Sequence, residues 1–260
     1  MEMLPETASN FLTMLCWNIQ NPSLDRAVKQ LQWISPQSID VIILTECKRS
    51  AGCLFLEQSL WYAGYEVTFS ECPNREYGTM IASKHQMKVS CFASSVQFLN
   101  SRVGSVSLQL PGLRTQLELI GVYVPSRDAS THKINRKKQF LSELLRAFNS
   151  DSNTPYRVCC GDFNVLEPNH YPKYSFFKSW EYDFYTSLLK LGFSDAFRNL
   201  HPKAFEYSWV GRKGDGYRYD HFLVSDEILP KVKQCNYRHE PRDTRLSDHS
   251  AIFAEIDCRE

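Results

Sequence analysis

The chain has 260 residues, 43% of them hydrophobic, which is ample material for a large core. Its 30 basic and 29 acidic side chains leave a net charge of +1, so attraction to polyanions by bulk charge is excluded and any such site is a local patch. No apolar stretch approaches the ~18 residues of a membrane-spanning helix. The 9 cysteines are odd in number and include no Cys-x-x-Cys pair, which points to reduced thiols and a cytoplasmic, reducing compartment. Met1 to Asn10 is acidic and polar, unlike a secretory leader, and reads as an N-terminal tail. Residues 11–260 then read as one domain, because no linker, low-complexity tract or charge block interrupts them.

In chain order, Phe11 to Ile19 is an apolar strand that delivers Asn18. Leu24, Ala27, Val28, Leu31 and Ile34 recur at helical spacing until Pro36. Asp40 to Leu44 is a β-branched strand that delivers Thr45-Glu46, and Leu54 to Tyr62 predicts a helix. Tyr65 to Phe69, Gly78 to Ser83 and Val89 to Phe92 read as short strands. Val103 to Leu110 alternates like a strand with one exposed face, and Pro111-Gly112 turns it into Gln116 to Val124, which carries Tyr123. Phe140, Leu141, Leu144, Leu145 and Phe148 line a helix, and Tyr156 to Cys160 is the strand before Gly161-Asp162-Phe163-Asn164. Strand, helix, strand, acid thus occurs twice, from Asn18 to Glu46 and from Tyr123 to Asp162, which suggests an internal duplication. A Pro- and Tyr-rich loop spans Pro168 to Ser179, and a helix from Tyr182 to Leu191 closes at Gly192. Gly211 to Gly216 is a loop without the Gly-Lys-Ser/Thr ending of a P-loop. Tyr219 to Val224 and Ala251 to Ile256 are the remaining strands, the latter preceded by Ser247-Asp248-His249.

Each polar motif taken alone has a bland alternative. Asp248-His249 reads as a solvated loop pair, Asp162-Phe163-Asn164 reads equally as a turn after a strand, and Tyr123 as a half-buried sheet tyrosine. Together and in this order the motifs resemble the endonuclease/exonuclease/phosphatase superfamily, most closely its exonuclease III branch of abasic-site DNA endonucleases. The resemblance runs from Trp17-Asn18 to Phe253. It is carried by Leu44-Thr45-Glu46, Gly121-Val122-Tyr123-Val124-Pro125, Gly161-Asp162-Phe163-Asn164, Arg218-Tyr219-Asp220-His221 and Ser247-Asp248-His249. It implies an α/β fold, a four-layer sandwich of two mixed β-sheets packed face to face with helices on both outer faces.

It also implies a Mg²⁺-dependent phosphodiesterase, with Mn²⁺ able to substitute, since carboxylate and amide oxygens suit a hard cation. By resemblance Glu46 is the principal metal ligand, with Asn18 and Asp248 close to the ion. Asp162 orients or deprotonates the attacking water, and Asn164 holds Asp162 or the scissile phosphate. His249 contacts a phosphate oxygen, Asp220 fixes its tautomer, and Tyr123 brings its hydroxyl near the phosphate. His221, next to Asp220, points to the opposite strand face and is structural. Gln20 stands where the family often has an acidic residue or glycine, which leaves a second metal position there without a charged ligand.

The basic run Arg127, Lys133, Arg136, Lys137 and Lys138 is expected to track a phosphate backbone, with Arg212, Lys213 and Arg218 on the other side. Trp209, Tyr217 and Tyr219 take the positions that wall the abasic-sugar pocket in that branch. The expected activity is cleavage of double-stranded DNA by a monomer, as an abasic-site endonuclease or 3′-exonuclease. A less specific DNA or RNA nicking nuclease is the alternative within the superfamily, and a non-catalytic nucleic-acid binder the alternative outside it.

Overall fold

The computed structural model describes residues 10–150 and 154–259. Apart from Asn10, the expected N-terminal tail lies outside them. The chain begins with β1 (Phe11–Asn18), α1 (Leu24–Ile34), β2 (Val41–Cys47), α2 (Ala51–Tyr62), β3 (Glu66–Phe69), β4 (Gly78–Ser83) and β5 (Met87–Val89). It continues with α3 (Phe92–Ser95), β6 (Val103–Leu108), β7 (Leu117–Tyr123), α4 (Thr131–Ser150), β8 (Arg157–Asp162), α5 (Ser179–Lys190), β9 (Phe193–Asp195) and α6 (Ala196–Leu200). A two-strand ribbon, β10 (Trp209–Val210) and β11 (Gly216–Tyr217), precedes β12 (Asp220–Ser225), β13 (Val232–Arg238), α7 (Glu240–Asp243) and β14 (Ala251–Asp257).

Two six-stranded sheets result, ordered β13-β14-β1-β2-β4-β3 and β5-β6-β7-β8-β12-β9. Among the described residues the only parallel pair in each is the third and fourth strand, β1 with β2 and β7 with β8, bridged by α1 and α4 respectively. The expected repeat of strand, helix, strand, acid is therefore also a repeat of sheet position and pairing sense. Strand periodicity explains the layering. Along β1, Leu12, Met14 and Cys16 enter the core between the sheets, where they join Leu119 of β7 and Cys160 of β8. Leu15 and Trp17 face the other way, under Ala27 and Ile34 of α1 and Leu56 of α2. Ile120 and Val122 of β7 likewise turn outward, onto Phe140 and Leu144 of α4 and Phe184 of α5. The order of layers is helix, sheet, sheet, helix. Burying a large aliphatic or phenyl side chain in these cores stabilises the fold by about 1.5–3 kcal/mol.

Local signals set the helix ends. Ser23 accepts from the Arg26 amide (3.4 Å) and Ser50 from the Cys53 amide (3.5 Å), and Pro36 follows α1 at once. Two expectations differ from the structure. Val89 to Phe92 does not continue as a strand: pairing with β6 ends at Val89, and Phe92 opens α3 because its ring joins the outer core. The strand β13 was not expected, because Val232-Lys233-Gln234-Cys235-Asn236-Tyr237-Arg238 is mostly polar. It lies at a sheet edge, where only Val232 and Cys235 are buried.

The C-terminal ends of the two parallel pairs meet at one rim, which brings Asn18, the Glu46 turn, Tyr123 and Asp162 together. Gly161 allows β8 to reach it. Its φ is +150°, and a Cβ there would sit 1.9 Å from the Val122 carbonyl oxygen. Gly161→Ala is expected to destabilise the protein by about 3 kcal/mol or more, read as a lower urea midpoint at unchanged m-value. A midpoint equal to that of the parent would refute this account of the strand end.

Candidate active site

Glu46 occupies an interruption in its strand. Leu44 pairs with Met80 and Cys47 with Gly78, a register shift that leaves Glu46 between them at φ +58°. Such a bulge turns a side chain off the pleat. A left-handed non-glycine residue costs on the order of 1–2 kcal/mol, a cost borne here at the rim of the site. The fully buried Asn18 carboxamide donates through Nδ2 to Glu46 Oε2 (3.0 Å) and Asp162 Oδ2 (2.9 Å), so it ties the two carboxylates across the two sheets. Its Oδ1 accepts from the Gln20 amide (2.9 Å). Asn18 thus stands beside Glu46, the expected principal ligand of the ion, and also bridges the two acids. The Gln20 side chain is turned away, to Arg26 Nη1 (3.0 Å).

Asp162 accepts the Asn164 amide at Oδ1 (2.9 Å) and the Asn164 side chain at Oδ2 (3.1 Å). Asn164 is itself at φ +47°, and its Nδ2 also donates to the Val124 carbonyl (3.0 Å). Asp220 Oδ2 meets His249 Nδ1 at 2.7 Å. Its backbone is fixed by donation of its amide to Ser208 Oγ (3.1 Å) and by the Tyr237 hydroxyl on its carbonyl (2.5 Å). His249 Nε2 lies 3.9 Å from Asp162 Oδ2, too far for a hydrogen bond, and both residues line the cleft.

Burial sets the protonation states. It pushes the Asp162 carboxyl up to about 7, against the pull of His249. Burial alone would depress His249, but Asp220, together with Asp162 and Asp248, carries the imidazole up to about 10. At neutral pH an imidazolium therefore stands beside an acid close to its midpoint. Burial also raises Glu46 and holds the Tyr123 phenol well above its ordinary value, so Tyr123 stays a proton donor. The Tyr123 ring is clamped by the Arg102 guanidinium 4.4 Å from its centroid and by the edge of Tyr77.

These groups open into a cleft of about 290 Å³ lined by Glu46, Tyr123, Asp162, Asn164, Asp248 and His249. Phe176, Phe177, Trp209 and Tyr219 form an aromatic wall. A larger cavity of about 650 Å³, beside Pro168 and α5, contains none of the catalytic candidates. Trp209 Nε1 donates to Asp248 Oδ2 (3.0 Å), while Asp248 Oδ1 is buried with no hydrogen-bond partner among the described residues. An orphaned carboxylate oxygen in the same cleft as a second, partly buried carboxylate, Glu46, fits a hard divalent cation. Among the described residues no three His, Cys, Asp or Glu side chains form a ready metal cage, so water would complete the coordination shell.

Several expected substrate contacts are corrected. Lys137 and Arg127 do line the cleft, but their side chains are about 1% and 3% exposed and both pair with Glu181, so their charge is already matched within the protein. Arg136 pairs with Glu76, and Arg218 is fully buried on Glu167 and Asp195. Arg212 is exposed on its loop but does not line the cleft. Tyr217 stands one layer behind the wall, stacked between Tyr219 (5.1 Å) and Tyr174 (4.3 Å). Asp220 is also outside the cleft, directly behind His249. His221 lies on the opposite face, at 3.3 Å from Asp195. Ser126, Phe176 and Phe177 were missed, although adjacent aromatics in a Pro- and Tyr-rich loop were a usable signal.

A cationic imidazole, a poised carboxyl and a two-carboxylate cation corner at the rim of a four-layer sandwich define a hydrolase of phosphate esters. Known proteins carry this further. Residues 15–249 match the Endonuclease/Exonuclease/phosphatase family, and the chain belongs to that family. An exodeoxyribonuclease of Bacillus subtilis is 22% identical over 93% of this chain and 98% of its own. Recombination repair protein 1 of Drosophila melanogaster is 29% identical over 96% of this chain, which spans 38% of that longer protein. The structure of an AP endonuclease from Archaeoglobus fulgidus superposes with a TM-score of 0.79 at 24% identity, covering 95% of this chain and 99% of that one. The chain is a hydrolytic nuclease of the exonuclease III type.

Proposed function

We propose that the protein is a Mg²⁺-dependent endonuclease that cuts duplex DNA at abasic sites, acting as a monomer. The observation that carries this reading is the line Asp220–His249–Asp162 beside the orphaned Asp248 oxygen, within an aromatic-walled cleft. A cation held by Glu46 and Asp248, Mg²⁺ or Mn²⁺, would supply positive charge to the phosphate. Ionised Asp162, steadied by Asn18 and Asn164, takes the proton of the attacking water. His249 donates its cationic Nε2–H to a phosphate oxygen, and Asp220 on Nδ1 fixes the tautomer and the charge. The Tyr123 hydroxyl donates toward the phosphate or the leaving oxygen. A baseless deoxyribose is small and easily extruded, because no stacking or pairing holds it. Phe177, Trp209 and Tyr219 give the cleft an aromatic wall against which the apolar face of such a sugar can pack. The free thiols of all 9 cysteines accord with a reducing, cytoplasmic setting.

The test is a labelled panel of intact, abasic and 3′-phosphate duplexes, RNA and phosphoinositide, each with and without EDTA. Metal-dependent incision favouring the abasic duplex is expected. Equal rates on intact and abasic duplex would leave a general nicking nuclease, and binding without turnover a nucleic-acid binder. Trp209 serves the wall and also bonds Asp248, so two variants separate its roles. Trp209→Ala should lower the abasic-to-intact ratio about tenfold, or about 1.4 kcal/mol of wall contact. Trp209→Phe should keep that ratio and lose only metal affinity. An unchanged ratio in Trp209→Ala would remove Trp209 from the wall.

A further inference from the structure

Glu181, at the start of α5, is fully buried and sits where three segments meet. Its Oε1 accepts from Lys137 Nζ at 2.7 Å and from Arg127 Nε at 3.1 Å. Its Oε2 takes the Lys178 amide at 3.0 Å and a second nitrogen of Arg127. Each cation reaches onward to the backbone. Lys137 Nζ donates to the Asn164 carbonyl at 2.6 Å, and Arg127 Nη2 to the Phe176 carbonyl at 2.7 Å. One carboxylate is thus joined on one side to the residue that clamps Asp162 and on the other to the aromatic wall. Asn164 stands at φ +47° and Phe176 in a segment without regular structure, so neither is held by strand or helix bonds. A buried ion network of this kind adds little net stability but fixes one arrangement of its partners.

We propose that Glu181 is a positioning residue that registers the substrate wall against the catalytic carboxylate, with Lys137 as the arm to the chemistry and Arg127 as the arm to the wall. This rests on the cleft being the substrate site. The two arms can be cut separately without stranding a charge, because Lys137→Met leaves Glu181 with Arg127, and Arg127→Met leaves it with Lys137.

Lys137→Met should lower kcat about 10- to 100-fold with little change in KM, the size expected from a misplacement near 1 Å at Asp162. Arg127→Met should act mainly on KM for abasic duplex and on the abasic-to-intact ratio, with a much smaller loss of kcat. Lys137→Arg, which keeps a cation for both partners, should recover most of the kcat. Glu181→Gln should combine both defects, and Lys137→Met added to it should cause little further loss. Should Glu181→Gln fail to fold, the contrast between the two arms still decides. Identical kinetic profiles for Lys137→Met and Arg127→Met, or lower thermal stability with unchanged kcat and KM, would overturn the proposal. Failure of the parent protein to hydrolyse any nucleic acid would instead overturn the reading of the cleft.

Discussion

Asp220→Asn is expected to lower kcat by about 10²- to 10⁴-fold while KM moves little, because the imidazolium it sustains acts on charge that develops in the transition state. Asp220 does not line the cleft, so its effect must pass through His249, 2.7 Å away. His249→Ala should cost about as much, and the double variant little more than either single one. The pH profile gives an independent reading. In the parent, activity should rise as Asp162 ionises through about 7 and fall as His249 loses its proton near 10. In Asp220→Asn the alkaline limb should retreat toward the ordinary imidazole range near 6.5. Stability follows the same sign: a raised folded-state pKa of His249 contributes fully below about 6.5, and the contribution is lost as pH rises through about 10. Additive losses with an unmoved alkaline limb would show that the two residues do not act as a unit.

The second large effect belongs to the cation corner. Glu46→Gln should reduce turnover at saturating Mg²⁺ by about 10²-fold or more. A readout without turnover accompanies it. Burial and Asp248 both work against ionised Glu46, so removing its charge relieves the metal-free protein. Without metal, the variant should melt at or above the parent temperature. The parent should gain thermal stability as Mg²⁺ is added, following RT ln(1 + [L]/Kd), and the variant much less. Full activity of the parent in EDTA, or equal Mg²⁺ stabilisation of both proteins, would remove Glu46 from the metal site.

The sequence made the strand ends legible. Asn18, Glu46, Tyr123 and Asp162 each finish or follow an apolar run, and a polar side chain at such a place has the rim as its natural destination. The twofold pattern of strand, helix and strand was legible for the same reason, since it depends on local periodicity. What stayed hidden depends on partners distant in the chain. Arg127 and Lys137 read as part of a basic run along a phosphate backbone because Glu181, which pairs with both, lies 54 and 44 residues away. The link from Asn18 to Asp162 spans 144 residues and has no local trace. The bulge at Glu46 needs β4 as its reference, and β13 is polar because an edge strand buries little. Ser208, which receives the amides of Tyr219 and Asp220, carries no signal in the sequence.

The pairing of β14 with β1, which joins Phe11 to Asp257 and Cys16 to Ile252, has a kinetic consequence. The first strand can pair with β2 early but cannot find its other neighbour, β14, until nearly all of these strands exist, and the second sheet lies between the two in sequence. High contact order of this kind makes folding slow. Asp248 and His249 immediately precede β14, so the cation corner and the imidazole arrive together with the last strand. A chain emerging from the ribosome can therefore build most of both sheets while it still lacks the means to cut a phosphodiester. In refolding, nuclease activity should return with the slowest phase, after most of the far-ultraviolet dichroism.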